Sequence, residues 1–316
     1  MKHPRRAAYR VTRTILALAC ACAIAVMLAC SPSAGGGSGG GSGGGSESVD
    51  GAPFSQPEEI AVPTYGASGE ASIDTSCASQ GYVCAAAINA ARLKFQVTMG
   101  EETYNYDLPN DGTATIYPLN MGSGVYTLRI MQNTDGSNYV EIAAADVDAA
   151  LESDFGPFLL PNMYCNYNAD SACVAKAREL TANSANVGEA VRDVCTWVAE
   201  NVTYDTAKAE ELSGGTGYVP NPDETLASQS GICFDYASLS TAMLRSMGIP
   251  TKLVTGYVGE DELYHAWIMV YIDGEWHSAQ FSVDRNTWSR CDVTFASTGA
   301  TKFTGDASAY TDRYTY

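Results

Sequence analysis

The sequence predicts an α+β protein in which helices pack on an antiparallel sheet, preceded by a small all-β module. Three observations carry this. Apolar residues alternate in short runs between residues 64 and 151, with Leu93, Phe95 and Val97 in one run and Tyr126, Leu128 and Ile130 in another. The period then lengthens to that of a helix, so that Val191, Val194, Cys195, Val198 and Val202 share a face. Finally, an apolar stretch opening at Cys233 is followed by further strand-like runs with a turn signal at Asp273-Gly274.

The elements follow in order. Tyr139 to Ile142 completes the strand-rich segment, and Asn110-Asp111-Gly112 and Asp135-Gly136 mark its turns. About ninety residues of this kind predict a β-sandwich-like module over 64–155. Helices are expected over 171–181 and 187–202, and a short one from Pro222, with proline at the first helical position and Asp223 and Glu224 favoured by the helix dipole. Residues 212–221 read as a loop. The next helix runs from Cys233 to about Met247 and is stopped by Gly248 and Pro250. Strands are then expected over 251–258, 265–272, near 277–283 and over 292–295.

Upstream of this lies different chemistry. Lys2, Arg5, Arg6, Arg10 and Arg13 precede an apolar run from Thr14 to Ala29 that ends at Cys30. A basic start and a short apolar stretch predict a secretory signal over 1–30, too short for a membrane span. Its Met-Leu-Ala-Cys ending resembles the bacterial lipobox, which implies a lipidated Cys30, a membrane anchor and an extracytoplasmic location. Residues 31–63 begin with a flexible Gly/Ser tether between Gly35 and Ser46. The chain has 316 residues, with 18 Lys and Arg against 36 Asp and Glu. The five basic residues named above would leave with the signal, and no acids would, so the remaining surface is strongly acidic. Such a surface repels nucleic acid and anionic lipid.

Of ten cysteines, seven lie beyond Cys30, an odd number that suggests one free thiol in a compartment permitting disulfides. The short spacings invite Cys77–Cys84 and Cys165–Cys173 bridges, with Cys195–Cys291 as the long-range remainder. Two histidines also lie beyond the signal, His265 and His277. They and the cysteines offer no metal-ligand spacing, and no cofactor is expected.

Gly231 and Cys233 sit where a chain turns into a buried helix. A helix N-terminus favours the thiolate, which is the nucleophilic form, and its N–H groups can hold an oxyanion beside it. A carboxylate aimed at the sulfur would oppose that, so Asp235 is expected to point away and to bond nearby backbone N–H groups. Cys–His chemistry also needs an imidazole. His265, at the start of a strand, is better placed for this than His277, which sits mid-strand beside Trp276.

Taken together, Gly231-Ile-Cys233-Phe-Asp235-Tyr236-Ala237, Gly248-Ile-Pro250 with Gly256-Tyr257, His265-Ala-Trp267, and Trp288 with Asp292 and Thr294 resemble the transglutaminase-like superfamily. The resemblance covers about residues 171–297, within a catalytic domain expected over 160–316. It implies a papain-like core with Cys233 as nucleophile, His265 as base and Asp292 as the residue that orients the imidazole. Asp284 and Gln280 are the alternatives for the third place. Gln229 or a side chain of the 213–218 loop could supply a second oxyanion donor. Acyl transfer through a Cys233 thioester is the implied chemistry, on a protein or peptide substrate, cell-wall peptide included. Hydrolysis leads, with cross-linking to an amine or a non-catalytic surface-binding role as alternatives.

Overall fold

A computed structural model describes residues 52–64, 66–213, 217–258, 263–272, 274–278 and 310–316. The signal segment, Cys30, the Gly/Ser tether and the 279–309 segment that contains Gln280, Asp284, Cys291 and Asp292 lie outside the described residues.

Two antiparallel sheets make up the N-terminal part. The first joins β1 (Ala71–Asp74), β2 (Tyr82–Ala87) and β5 (Thr115–Pro118) in the order β1-β2-β5. The second orders β3 (Leu93–Met99), β4 (Glu102–Leu108), β6 (Gly124–Asp135) and β7 (Asn138–Ala149) as β4-β3-β6-β7. Alternation does what it should in β3: Leu93, Phe95 and Val97 are buried while Lys94 and Gln96 are not. The sheets meet across Phe95 and Tyr117, whose ring centroids are 4.4 Å apart. Both expected turns are present, with Gly136 at φ 53° in the β6–β7 hairpin and Gly112 at φ 88° after β4.

The helical part follows. α1 (Ala172–Leu180) and α2 (Val187–Asn201) lie within a residue of the expected spans. The Asn186 side chain caps α2 by accepting from the Glu189 N–H at 2.8 Å. α1 starts after Ser171, but its cap comes from elsewhere: the Asp223 carboxylate accepts from the N–H groups of Ala172 and Cys173 at 3.2 and 2.8 Å. A short α3 (Thr206–Glu211) is added, then α4 (Pro222–Ser228) and α5 (Cys233–Ser246). α5 is buried along nearly its whole length, Asp235 to Ser246.

A second antiparallel sheet system closes the fold. β10 (Thr251–Val258), β11 (Leu263–Ile272), β12 (Glu275–Ser278) and β13 (Tyr310–Thr315) are ordered β12-β11-β10-β13, and α5 packs on β10 and β11. β10 has the expected bounds. Gly256 on β10 pairs with His265 on β11, and the glycine is required there by crowding. A Cβ would lie 2.1 Å from the Thr311 carbonyl oxygen and 2.8 Å from the Trp267 ring. Gly256→Ala is therefore expected to cost about 1–3 kcal/mol through overpacking, seen as a fall of several degrees in the thermal midpoint. A midpoint within a degree of the parent would show that β13 yields freely.

The hydrophobic core runs unbroken from the first sheets into the helices, taking in Phe95 and Tyr117, Val194 and Val198, and Leu239 and Ile268. An aromatic seam marks the junction. Tyr106 of β4 lies 5.9 Å from Tyr164, which lies 4.6 Å from Tyr316 and 5.2 Å from Phe234 (ring centroids).

The expected short-loop disulfides are corrected by this structure. Cys77, Cys84, Cys165 and Cys173 are unbridged. Cys84 lies inside β2 and packs with Ala67 and Ala86, while the Cys77 thiol approaches the Thr64 carbonyl. The Cys165 thiol instead donates to Asn162 Oδ1 at 3.5 Å and accepts from Arg245 at 3.4 Å. Cys291, the expected partner of Cys195, lies outside the described residues.

Candidate active site

The approach to Cys233 is fixed residue by residue. α4 ends at Gln229, whose φ of 50° and ψ of 35° put a non-glycine residue in the left-handed region. That turn sends the chain into β9 (Ser230–Gly231), which pairs in parallel with β8 (Thr203–Tyr204) over two residues. Two backbone bonds hold the pair, Thr203 N–H to the Gln229 carbonyl at 2.8 Å and Asp205 N–H to the Gly231 carbonyl at 2.9 Å. Gln229→Gly is expected to leave this turn intact and raise stability by up to about 1 kcal/mol, the cost of a non-glycine residue in that region. A loss of stability on chemical denaturation would show that the Gln229 side chain holds the turn.

Gly231 then passes so close to α5 that a Cβ would sit 2.6 Å from the Cβ of Asp235. Ile232 is the N-cap and has no side-chain acceptor to offer. Asp235 supplies the acid half of a capping box instead, accepting from the Ile232 N–H at 2.8 Å. Its carboxylate thus accepts from a nearby backbone N–H, as expected. Cys233, the first residue of α5, is half-buried. Tyr204 of β8 is near enough to feel charge at Cys233: burial raises its phenol pKa first, and the sulfur's charge raises it further.

Asp235 is fully buried and has partners that the sequence did not disclose. Lys208 of α3 donates from Nζ to Oδ2 at 2.7 Å, and the Tyr218 hydroxyl donates to Oδ1. Lys208 also reaches the Tyr218 oxygen at 2.5 Å and lies 4.5 Å from the centre of its ring. Burial and then the bond to Asp235 hold the Tyr218 phenol far above its ordinary range. Tyr218 therefore spends its hydroxyl on Asp235 rather than on an oxyanion. Gln229, also considered for that role, is exposed at the C-cap of α4, and residues 214–216 of the loop lie outside the described residues. Tyr236 is buried, and its hydroxyl donates to the Val202 carbonyl at 2.6 Å, a packing role.

His265 is the third residue of β11 and is buried, 4% exposed. Strand alternation puts it on the same face as Trp267, with ring centroids 6.5 Å apart and planes 21° from parallel. Ala266, Ile268 and Val270 take the other face and join the core that includes Leu239 and Met243 of α5. His277 falls in β12, opposite Val270. Asp292, Asp284 and Gln280 lie outside the described residues, so the third position is not located here. Among the described residues, no group of three His, Cys, Asp or Glu side chains could hold a metal, and no helix is long and apolar enough to cross a membrane.

Residues 174–292 match the family model described as the transglutaminase-like superfamily, spanning α1, the Cys233 turn and the His265 strand. This region is similar to the transglutaminase-like superfamily. The human kyphoscoliosis peptidase is 32% identical to this chain over 99 residues, 28% of this chain and 14% of that protein. An uncharacterized protein of Mycobacterium leprae (strain TN) is 30% identical over 133 residues, 39% of this chain and 44% of that protein. The matches thus take in less than half the length of either relative. Among solved structures, a Cytophaga hutchinsonii protein named provisionally as a cysteine protease covers 73% of both chains at 18% identity, with a TM-score of 0.38. The periplasmic domain of TgpA from Pseudomonas aeruginosa covers 65% of this chain and 71% of its own at 15% identity, with a TM-score of 0.29. Those scores are too low to carry weight, and the transglutaminase-like assignment rests on the sequence match.

Proposed function

We propose that the transglutaminase-like domain is a cysteine-dependent acyl-transfer enzyme that hydrolyses amide bonds in a protein or peptide outside the cytoplasm, tethered through a lipid on Cys30. The observation that carries the reading is the position of Cys233: half-buried, at the first residue of a buried helix, after a glycine turn pinned by β8 and β9. In this reading His265 takes the thiol proton, and the sulfur forms a bond to the carbonyl carbon of the substrate. The tetrahedral oxyanion faces the first N–H groups of α5, which lack intrahelical acceptors. His265 then gives its proton to the departing amine as the carbon–nitrogen bond breaks, leaving a thioester. Water attacks the thioester with His265 again as base, and releases the carboxylic acid and the thiol. Asp292 is proposed to orient the imidazole.

The thiol chemistry can be tested without knowing the substrate. Brief iodoacetamide treatment of the native protein at pH 7.5, read by peptide mass spectrometry, is expected to label Cys233 first. Burial pushes the Cys84 thiol up to about 11 and raises the Cys165 and Cys173 thiols as well, so these stay protonated and unlabelled. A Cys233 no faster than free cysteine would remove the basis for catalysis. With a reactive Cys233 established, incubating a casein digest with a fluorescent primary amine separates hydrolysis from cross-linking. New N-termini without amine incorporation are the expected result.

A further inference from the structure

We propose that β5 binds an extended, basic peptide as an added strand, in a cavity lined by both the strand-rich and the helical parts. Such binding needs neither Cys233 nor His265 and so goes beyond the acyl-transfer reading. β5 stands at one edge of its sheet, paired with β2 alone. Its register sets Tyr117 opposite Val83 and Ile116 opposite Cys84, and the Leu119 N–H donates to the Gly81 carbonyl at 2.8 Å. Bonding residues alternate in an antiparallel pair, so Leu119, Tyr117 and Thr115 turn their N–H and C=O groups toward β2. Ile116 turns both of its groups outward, and neither meets a protein partner among the described residues. Pro118 faces outward too, where its missing N–H costs the ladder nothing.

Space lies beside that edge. A cavity of about 960 Å³ is lined by Thr113, Ala114, Thr115 and Ile116 in succession. Their side chains alternate between the two faces of the strand, so the cavity follows the edge and not one face. Residues 161–163 and 166–170 of the helical part line it as well, and exposed Val62 and Val219 add apolar surface. An unpaired edge facing open space is a template for an incoming strand, with side-chain contacts supplied by the walls.

Two further residues of the lining define the ligand. Asn162 is 3% exposed and spends Oδ1 on the Tyr164 N–H at 2.9 Å and the Cys165 thiol at 3.5 Å, while its Nδ2 has no partner. A peptide carbonyl is the acceptor that this buried donor lacks. Among the charged groups, Arg92 is already bonded to Asp107 at 2.6 Å. That leaves Asp170, exposed and in no ion pair among the described residues, to set the sign. The chain as a whole carries a formal net charge of −18, so a peptide bearing lysine or arginine is favoured over an acidic one.

The test is the fluorescence anisotropy of a fluorescein-labelled Val-Lys-Val-Lys-Val-Lys amide, titrated with the full chain carrying Cys233→Ala so that the probe is not cut. Saturable binding is expected, weakened about tenfold by Ile116→Pro, which removes the outward N–H but no bond to β2. Methylating the two central amide nitrogens of the probe is expected to weaken it by a similar factor, and that control needs no variant to fold. Replacing the lysines of the probe by glutamates is expected to abolish binding, and Asp170→Asn to weaken the lysine probe severalfold. Absence of saturable binding overturns the proposal. So does equal affinity for the methylated probe, or for Ile116→Pro at an unchanged thermal midpoint, since the edge is then unused. A glutamate probe that binds as well as the lysine one overturns the choice of a basic ligand. Self-association that Ile116→Pro abolishes, without probe binding, gives the edge to a second copy and overturns the proposal too. An unreactive Cys233 in the parent leaves this binding standing, just as a probe that fails to bind leaves the thiol chemistry standing.

Discussion

Replacing Cys233 by alanine is expected to lower amide hydrolysis by about a thousandfold or more while leaving the thermal midpoint within a degree or two of the parent. The side chain is half-buried at a helix start and fills no part of the deep core, so little packing is lost. His265→Ala is expected to cost a similar factor, and the two changes together little more than either alone, because nucleophile and base act as a unit. Cys195→Ala is the control. Cys195 is 1% exposed on the buried face of α2, and its removal is expected to lower stability modestly without touching the chemistry. Hydrolysis that survives in Cys233→Ala would end the reading, whatever the histidine variant does.

Arg245→Met is expected to be the most destabilising single change in the helical part, at about 3–5 kcal/mol. The guanidinium is 2% exposed and is spent on backbone carbonyls from three separate segments: Thr251 through Nε at 2.8 Å, Leu160 through Nη1 at 2.7 Å and Tyr316 through Nη2 at 2.7 Å. Methionine matches much of the volume but withdraws a charged donor from all three carbonyls, and although the Tyr316 oxygen keeps the Leu253 N–H at 3.1 Å, losing the guanidinium's bonds together is costly. Arg245→Lys is expected to fall between, since an ammonium on a flexible stem cannot reproduce the planar fork. Urea denaturation read by tryptophan fluorescence measures both. A midpoint for Arg245→Met equal to the parent would show that water or a backbone shift replaces the guanidinium.

Much of this was legible before any coordinates. The alternation in β3 and β6, the apolar face of α2 and the glycine–proline stop after α5 are local signals, and each gave an element close to its expected place. Where the signal was not local, the reading ran out. α3 has no buried residue, so its sequence carries no amphipathic period. β13 is a strand because it pairs with β10 across more than fifty residues. The cysteine spacings suggested bridges because short loops close easily, yet the Cys84 side chain is committed to the interior of a strand. At the site, Cys233, Asp235 and His265 were visible as motif residues. Lys208 was not, lying in a polar helix, and Tyr218 was visible only as part of a Gly-rich loop considered for a different role. Arg245 could have been noticed as the one cation on a helix whose other charge, Asp235, lies at its opposite end, a pattern that demands partners.

The tyrosine contacts linking Tyr106, Tyr164, Tyr316 and Phe234 bear on how the protein can be dissected. An excised fragment beginning near residue 160 would present Tyr164 and Tyr316 to solvent along the line where Tyr104 and Tyr106 now cover them. Such a fragment is expected to self-associate or to need detergent. Expression of the strand-rich and helical halves as separate polypeptides should yield soluble material only when the two are produced together.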